Sequence, residues 1–413
     1  MTETFYHTLP NGVRIVHRTA ASPVVYVGIM VGAGTRHEQP EQNGIAHYIE
    51  HCVFKGTEHY TARQIINRIE GIGGEINAYT TKEETTFYAA TLRGHWRATL
   101  HLIADMVLHP TFPKRETDKE LTVIYDEIES YNDSPSELIY DDFESLVFNG
   151  HPLAMPILGT KKTLRRIAKS PATPLAWMQT HYRPDRMVLF VLGDIPPQQV
   201  ITFAEKEVGN LPAVSPDITT VLPREYRENS EPTTVTYRRH THQTHVMIGA
   251  RAYAIGHPRQ LAMYLLNNIL GGGSLSSRLN LSLREQRGLV YTIESQYTPL
   301  SDTGYWNIYL ACEPQHKDEC IDLCMRELKC LRDTPLTTMQ LQRALRQLQG
   351  QMAISAENQE NNALAMAKQM LYYHHAPLWQ ETFCKISQIT PIMLQDVANE
   401  LYNDGILNVL QYD

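Results

Sequence analysis

The stretch GIAHYIEHCVF, residues 44–54, combines two histidines and a carboxylate with an apolar pattern that is typical of a helix. Its isoleucines and the following valine recur at helical spacing, so we expect a partly buried helix that begins near residue 43. His47 and His51 then lie one turn apart on a single face, with Glu50 beside them. Two imidazoles at this separation can bind one Zn²⁺, and an adjacent carboxylate can serve as a general base.

The motif needs a third metal ligand elsewhere in the chain. The order His-x-x-Glu-His inverts the commoner zinc motif, but alone it also fits an ordinary helix with two half-buried histidines. Glu127 is the best candidate, because its predicted helix carries apolar side chains that can pack against the first helix: Val123, Ile124 and Ile128. A His₂Glu set leaves the open position that a catalytic zinc needs, and Glu120 can orient a histidine. The alternative is that both glutamates belong to the surface of an acidic helix.

Composition and charge limit the class of protein. The chain has 413 residues, of which 42% are hydrophobic and 20% charged, as in globular proteins of two or more domains. A net charge of −8 predicts neither nucleic acid nor a membrane surface as a partner. The first residues lack the pattern of a signal peptide, and the longest apolar run, residues 187–192, is too short to span a bilayer. We therefore expect a cytoplasmic protein, unless a leader has been removed.

The order of predicted elements indicates two domains. Residues 8–16 predict a hairpin, and alternation or β-branched runs predict strands at 24–31, 75–81, 85–91 and 185–194. Further helices are expected at 62–71, 96–108 and 116–131. Prolines and charges without sustained periodicity predict a linker at 212–231, which separates a catalytic domain, 1–211, from a second domain, 232–413.

The second half repeats the pattern of the first. Residues 261–267 overlie residues 45–51 at a shift of 216, which indicates a diverged internal duplication. The second copy has Met263, Leu266 and Asn267 in place of the two histidines and the glutamate, so we expect one zinc per chain. The predicted fold is α+β, with two homologous domains, each an antiparallel-rich sheet with helices packed mainly on one face.

Longer stretches resemble the signature of the pitrilysin family of zinc metallopeptidases, which includes insulin-degrading enzyme and the mitochondrial processing peptidase. The resemblance begins at residues 44–57, GIAHYIEHCVFKGT. It continues at GGEINAYT (73–80), residues 120–127, YRP (182–184), GGGS (271–274) and LREQRGLVY (283–291). It covers nearly the whole chain, as a bacterial-type half of two domains.

The resemblance assigns roles to these residues. It implies Zn²⁺ on His47, His51 and Glu127, with Glu50 as the general base and Glu120 behind the ligands.

The resemblance also implies two elements that bind substrate. Asn77, Ala78 and Tyr79 would belong to an edge strand that pairs with the substrate backbone, whereas the alternative is an ordinary interior strand. Arg284 and Tyr291 would grip the peptide and help to polarise the scissile carbonyl. The alternative for this pair is a core tyrosine and a solvated arginine.

The expected function is that of a zinc-dependent endopeptidase acting on extended peptides. The alternatives are a processing peptidase of narrow specificity and a non-catalytic scaffold or partner subunit, and the retained metal triad favours catalysis. Family members enclose substrate between two such halves, so a homodimer that forms a closed chamber is expected. A second metal site at His240, His242 and His245 is less favoured, because these side chains would alternate across a strand.

Overall fold

The computed structural model describes residues 3–213, 232–239 and 241–413. Contacts divide these residues into two compact units: unit 1 comprises 3–129, 155–213 and 355–377, and unit 2 comprises 130–154, 232–354 and 378–413. The units differ from the predicted domain ranges by two exchanged segments, 130–154 and 355–377. Nearly all of the predicted linker, like His240, lies outside the described residues.

The described residues form the following regular elements. The strands are β1 Thr4–Thr8, β2 Arg14–Arg18, β3 Val24–Val31, β4 Glu75–Thr80, β5 Thr85–Leu92, β6 Met187–Leu192, β7 Thr234–Tyr237, β8 Thr244–Ala252, β9 Val290–Pro299, β10 Gly304–Cys312 and β11 Asn408–Tyr412. The helices are α1 Ile45–Cys52, α2 Ala62–Glu70, α3 Trp96–Leu108, α4 Lys114–Asn132, α5 Pro135–Val147, α6 Lys161–Ile167, α7 Ala172–His181, α8 Pro197–Val208, α9 Gln260–Gly271, α10 Lys317–Asp333, α11 Thr338–Ala356, α12 Gln359–Tyr373, α13 Trp379–Ile386 and α14 Pro391–Leu401. A π-helical turn covers Asn280–Glu285.

Unit 1 contains a six-stranded sheet in the order β1-β2-β6-β3-β5-β4. β2 and β6 are parallel, and the other neighbours are antiparallel. One face packs on a core to which α1, α2, α3, α4, α6, α7 and α8 contribute. The opposite face is covered by α12, whose Ala363, Met366 and Met370 pack against Val188 and Phe190. The helices therefore lie mainly on one face, as predicted.

Unit 2 repeats this topology. Its sheet has the order β7-β11-β8-β10-β9, again with one parallel pair, β7 and β11. Strand by strand, this matches β2-β6-β3-β5-β4 of unit 1. One face packs on a core with residues from α9, α10, α11, α13 and α14, and α5 covers the other. The two matching topologies confirm the α+β fold of two homologous domains.

Each half of the chain supplies one helix to the unit formed mostly by the other half. α5 precedes the predicted linker and belongs to unit 2, whereas α12 follows that linker and belongs to unit 1. No helix among the described residues is long and apolar enough to cross a membrane.

Candidate metal centre and active site

The helix α1 carries both histidines of the motif. Ile45 and Ile49 are fully buried against the core of unit 1, which fixes the rotation of the helix. His47 and His51 therefore share one face, and their ring centroids are 4.6 Å apart. The predicted helix and the placement of its histidines are confirmed.

The helix α4 brings Glu127 to the same place. Ile124 is fully buried and docks α4 on the core, with Ile128 partly buried one turn later. Val123 is 50% exposed, so the prediction that it packs α4 against α1 is wrong. Adjacent side chains on a helix point about 100° apart, and when Ile124 enters the core its neighbour turns towards solvent.

Three ligand atoms converge between α1 and α4. Glu127 Oε2 lies 3.4 Å from His51 Nε2 and 3.7 Å from His47 Nε2. All three ligand atoms lie within 4.8 Å of one another, and they form the one such group of His, Cys, Asp or Glu in the described part of the chain. Tetrahedral zinc with ligand bonds of about 2.0–2.1 Å separates its ligands by roughly 3.3 Å. The residues present therefore fit one Zn²⁺ ion.

Glu120 holds His51 from behind. His51 Nδ1 donates to Glu120 Oε1 at 2.9 Å, which leaves Nε2 directed towards Glu127. Lys55 Nζ contacts the other oxygen of Glu120 at 2.6 Å and balances its charge. Lys55 was not singled out from the sequence, although its position four residues after His51, on the same side of a continuing helix, was a usable signal.

His47 has a different environment. Burial, with His51 nearby, lowers the pKa of His47 to about 4, so the ring is neutral at neutral pH, as a metal ligand must be. Burial alone would lower the pKa of His51 too, but hydrogen bonds to Glu127 and Glu120 raise it. The Nδ1 atom of His47 is buried and has no hydrogen-bond partner among the described residues.

Glu50 lies beside the three ligands and next to the edge of the sheet. Thr80 Oγ1, at the end of β4, donates to Glu50 Oε2 at 2.7 Å. Burial raises the pKa of Glu50, against the lowering effects of Thr80 and His51. A carboxylate whose pKa is moved towards neutrality is better suited to exchange a proton near pH 7. Thr80 was not singled out from the sequence.

The strand β4 is an edge strand, as predicted. It is the last strand of the unit 1 sheet and pairs with β5 alone among the described strands. Asn77, Ala78 and Tyr79 face Tyr88, Phe87 and Thr86 across that pairing. The interior-strand alternative is wrong, and one side of β4 keeps main-chain groups that another strand can use.

Arg284 and Tyr291 lie together in unit 2. The Arg284 guanidinium is 5.8 Å from the centre of the Tyr291 ring. Tyr291 is 80% exposed at the start of β9, so the alternative of a core tyrosine is wrong. The structure brings these two residues together in the unit that lacks the metal motif.

Unit 2 has replaced the metal ligands with a packed core. On α9, Met263 and Leu266 are buried. Asn267 donates to the Ser295 carbonyl at 2.9 Å and accepts from the Ser295 hydroxyl at 2.5 Å. His245 of β8 is also a core residue, and its ring contacts the Tyr309 hydroxyl at 2.9 Å. The described part of unit 2 therefore offers no second metal centre.

Comparisons with known proteins identify relatives of both halves of the chain. Residues 14–161 match the family Insulinase (Peptidase family M16), and residues 175–348 match Peptidase M16 inactive domain. The chain is 32% identical over 399 residues to "Uncharacterized zinc protease YmxG" from Bacillus subtilis, covering 96% of this chain and 95% of that protein. It is 30% identical to an uncharacterized zinc protease from Streptomyces coelicolor, covering 95% and 86% of the two chains.

Solved structures show the same fold. A protease from Helicobacter pylori superposes with a TM-score of 0.90 over 100% of both chains, at 21% identity. A peptidase M16 inactive domain from Pseudomonas fluorescens gives 0.87, covering 99% of this chain and 97% of that one, at 20% identity. The relatives and the group of His47, His51 and Glu127 together define the class of the zinc metallopeptidases. The chain belongs to peptidase family M16, the pitrilysin family.

Proposed function

We propose that this chain is a zinc-dependent endopeptidase that hydrolyses peptides bound in an extended conformation. The observation that carries the proposal is the convergence of His47, His51 and Glu127, with Glu50 tied to the end of the edge strand β4. Relatives across the full length are named zinc proteases, which supports the same chemistry here.

The proposed mechanism assigns proton transfer to Glu50. Zn²⁺ on the three ligands would act as a Lewis acid that polarises the scissile carbonyl and promotes attack by water. Glu50 accepts a proton from the attacking water and later returns it to the leaving amine. Thr80 occupies one carboxylate oxygen, so the other is available for this exchange.

Substrate is held by its backbone in this proposal. A peptide that adds to the free side of β4 forms main-chain hydrogen bonds beside Glu50, and these bonds do not depend on its side chains. The exposed hydroxyl of Tyr291 and the guanidinium of Arg284 supply donors for the developing oxyanion. The alternative, a processing peptidase, uses the same chemistry on a narrower range of substrates. A non-catalytic scaffold has no need of the complete triad and Glu50 that this chain retains.

We further propose that the active assembly is a homodimer. The metal motif and the pair of Arg284 and Tyr291 occur in one chain but in different units. A twofold dimer would let unit 2 of one copy complete the site of the other.

A comparison of two variants tests the proposed chemistry. Glu50→Gln keeps the size of the side chain but removes the proton acceptor, so it should bind one zinc per chain and lose nearly all peptide hydrolysis. Glu58→Gln makes the same change at an exposed position and should retain both zinc binding and peptide hydrolysis. Zinc content by elemental analysis and cleavage of a peptide mixture by mass spectrometry are the measurements. A Glu50→Gln protein that still hydrolyses peptides would exclude this role.

A further inference from the structure

A buried carboxylate caps the helix that carries both histidine ligands. Glu38 Oε2 accepts hydrogen bonds from the Gly44 amide at 2.7 Å and from Asn43 Nδ2 at 3.0 Å. Its Oε1 accepts from the Ala46 amide at 2.9 Å. The side chain is almost fully buried, and all three donors belong to the entry of α1.

The entry of α1 cannot be capped in the usual way. The first amides of a helix lack partners within it, and a Ser, Thr, Asp or Asn at the preceding position normally supplies one. Here that position is Gly44, with a left-handed φ of 92°. A Cβ atom there would lie 2.9 Å from Gly159 Cα and from the Leu158 carbonyl oxygen, so a larger residue does not fit. Glu38 therefore supplies the cap from six residues upstream, and its charge favours the positive end of the helix dipole.

The duplicated half provides an internal comparison. In unit 2 the shorter segment between β8 and α9, residues 253–259, contains no aspartate or glutamate. The helix that follows, α9, carries no metal ligands. The buried carboxylate thus accompanies the copy of the helix that has the metal motif.

We propose that Glu38 is a positioning residue of the metal centre, which holds the first turn of α1 and thereby His47. His47 is the third residue of α1 and directly follows Ala46, whose amide donates a hydrogen bond to Glu38. His51 has its own support from Glu120, whereas His47 Nδ1 has no partner among the described residues. The direction of the His47 ring therefore depends on the backbone of the first turn.

Burial and hydrogen bonding have opposite effects on the pKa of the Glu38 carboxylate. Burial raises the pKa of Glu38 to about 7, against the donors from Ala46, Asn43 and Gly44 and the charge of Lys82. Three donors meet two oxygens, so the neutral amide of glutamine would direct an N–H group at one of them. Glu38→Gln is therefore a stringent test.

The test uses Glu38→Gln with Glu83→Gln as the matched control. Glu83 is equally buried, but it pairs with Arg36, which lies outside α1. In the zinc-free protein, Glu38→Gln should increase amide hydrogen exchange in the peptide that contains α1 by about tenfold, while Glu83→Gln should not. Competition with a chelator should show zinc affinity lowered by about tenfold or more in Glu38→Gln alone. Hydrolysis should lose kcat with little change in KM.

Each outcome separates this inference from the proposed function on which it rests. A wild-type chain that binds no zinc refutes the proposed function. The exchange measurement on the zinc-free protein still tests the role of Glu38, and that role is refuted as well if Glu38→Gln leaves amide exchange in α1 unchanged. Equal zinc affinity in Glu38→Gln and Glu83→Gln overturns the positioning role alone. Should Glu38→Gln not fold, Glu38→Asp decides, because the shorter carboxylate keeps its charge but cannot span both amides. Zinc affinity equal to wild type in Glu38→Asp, or failure of both variants to fold, contradicts the proposal.

Discussion

Single residues around the metal ligands determine how firmly each ligand is held. His51 is fixed by Glu120, which in turn contacts Lys55, so this ligand has two layers of support. Glu127 is 43% exposed and is held mainly through the docking of Ile124. The motif itself was visible in the sequence because helical spacing places its residues on one face. Lys55 could also have been found from its spacing of four residues after His51, whereas the role of Thr80 depends on a contact that spacing alone does not specify.

Replacing Glu120 should weaken zinc binding without unfolding the chain. Glu120→Gln loses the charge that orients His51, and such changes typically cost about 10–100-fold in metal affinity or activity. Chelator competition measures the affinity. Glu116→Gln, on the same helix but farther from the ligands, should bind zinc like the wild type.

Two partly buried histidines should make the zinc-free protein sensitive to acid. Burial, together with Arg186, lowers the pKa of His37 to about 3 and that of His181 to about 4. The unfolded chain binds more protons than the folded one once the pH falls below 6.5. The free energy of unfolding should therefore fall with pH between about 6.5 and 4, by at most about 1.4 kcal/mol per pH unit for each histidine.

Denaturant unfolding at several pH values measures this effect. His181→Gln should show a shallower dependence than the wild type, since it removes one of the two groups. An identical slope in both proteins would show that His181 does not contribute.

At the scale of elements, the sequence identified α1, α3, β3 and β4 well, because each is marked by helical spacing, alternation or a β-branched run. It did not show which sheet α12 covers. The apolar residues of α12 specify a buried face but not a partner, and that partner, the sheet of unit 1, lies far away in the sequence. The same argument applies to α5. The edge position of β4 came from family resemblance, since pattern alone does not separate an edge strand from an interior one.

The edge strand β4 provides a paired test of backbone recognition. Main-chain groups of successive residues in a strand point to opposite sides. Of the two variants Asn77→Pro and Ala78→Pro, one therefore loses an inward amide, which faces β5, and the other loses an outward amide, on the free side of β4. The outward variant should raise KM for many unrelated peptides at nearly unchanged thermal stability. The inward variant should lower stability instead. A change confined to one peptide sequence would argue against strand addition.

At the scale of the whole molecule, the duplication explains why one chain carries two related units and one metal motif. The sequence indicated the duplication through the alignment of α1 with α9, and the sheet orders extend it to five strands in each unit. Met263, Leu266 and Asn267 stand where unit 1 has His47, Glu50 and His51, and they are buried in unit 2. The exchange of α5 and α12 between the units could not be predicted, because contiguous domains were the simpler interpretation of a single linker.

The proposed homodimer makes a quantitative prediction. Glu50→Gln and Tyr291→Phe chains are each expected to be nearly inactive. Mixed under subunit exchange in equal amounts, they should recover about a quarter of wild-type activity, because half of the dimers are mixed and each mixed dimer has one intact site. If Tyr291 serves the metal of its own chain, mixing restores nothing. Full activity of a monomer at high dilution would also refute the arrangement.

The most direct test of the central claim is a peptide-library digest with the wild-type chain, with chelator, and with zinc added back, analysed by mass spectrometry. The structure predicts internal cleavage of extended peptides that stops with chelator and returns with zinc. If substrate pairs with β4 as proposed, cleavage should depend more on a minimum peptide length than on any one side chain, because such pairing uses main-chain groups. Cleavage that persists in the chelated protein, or no cleavage by a chain that holds one zinc, would contradict the assignment.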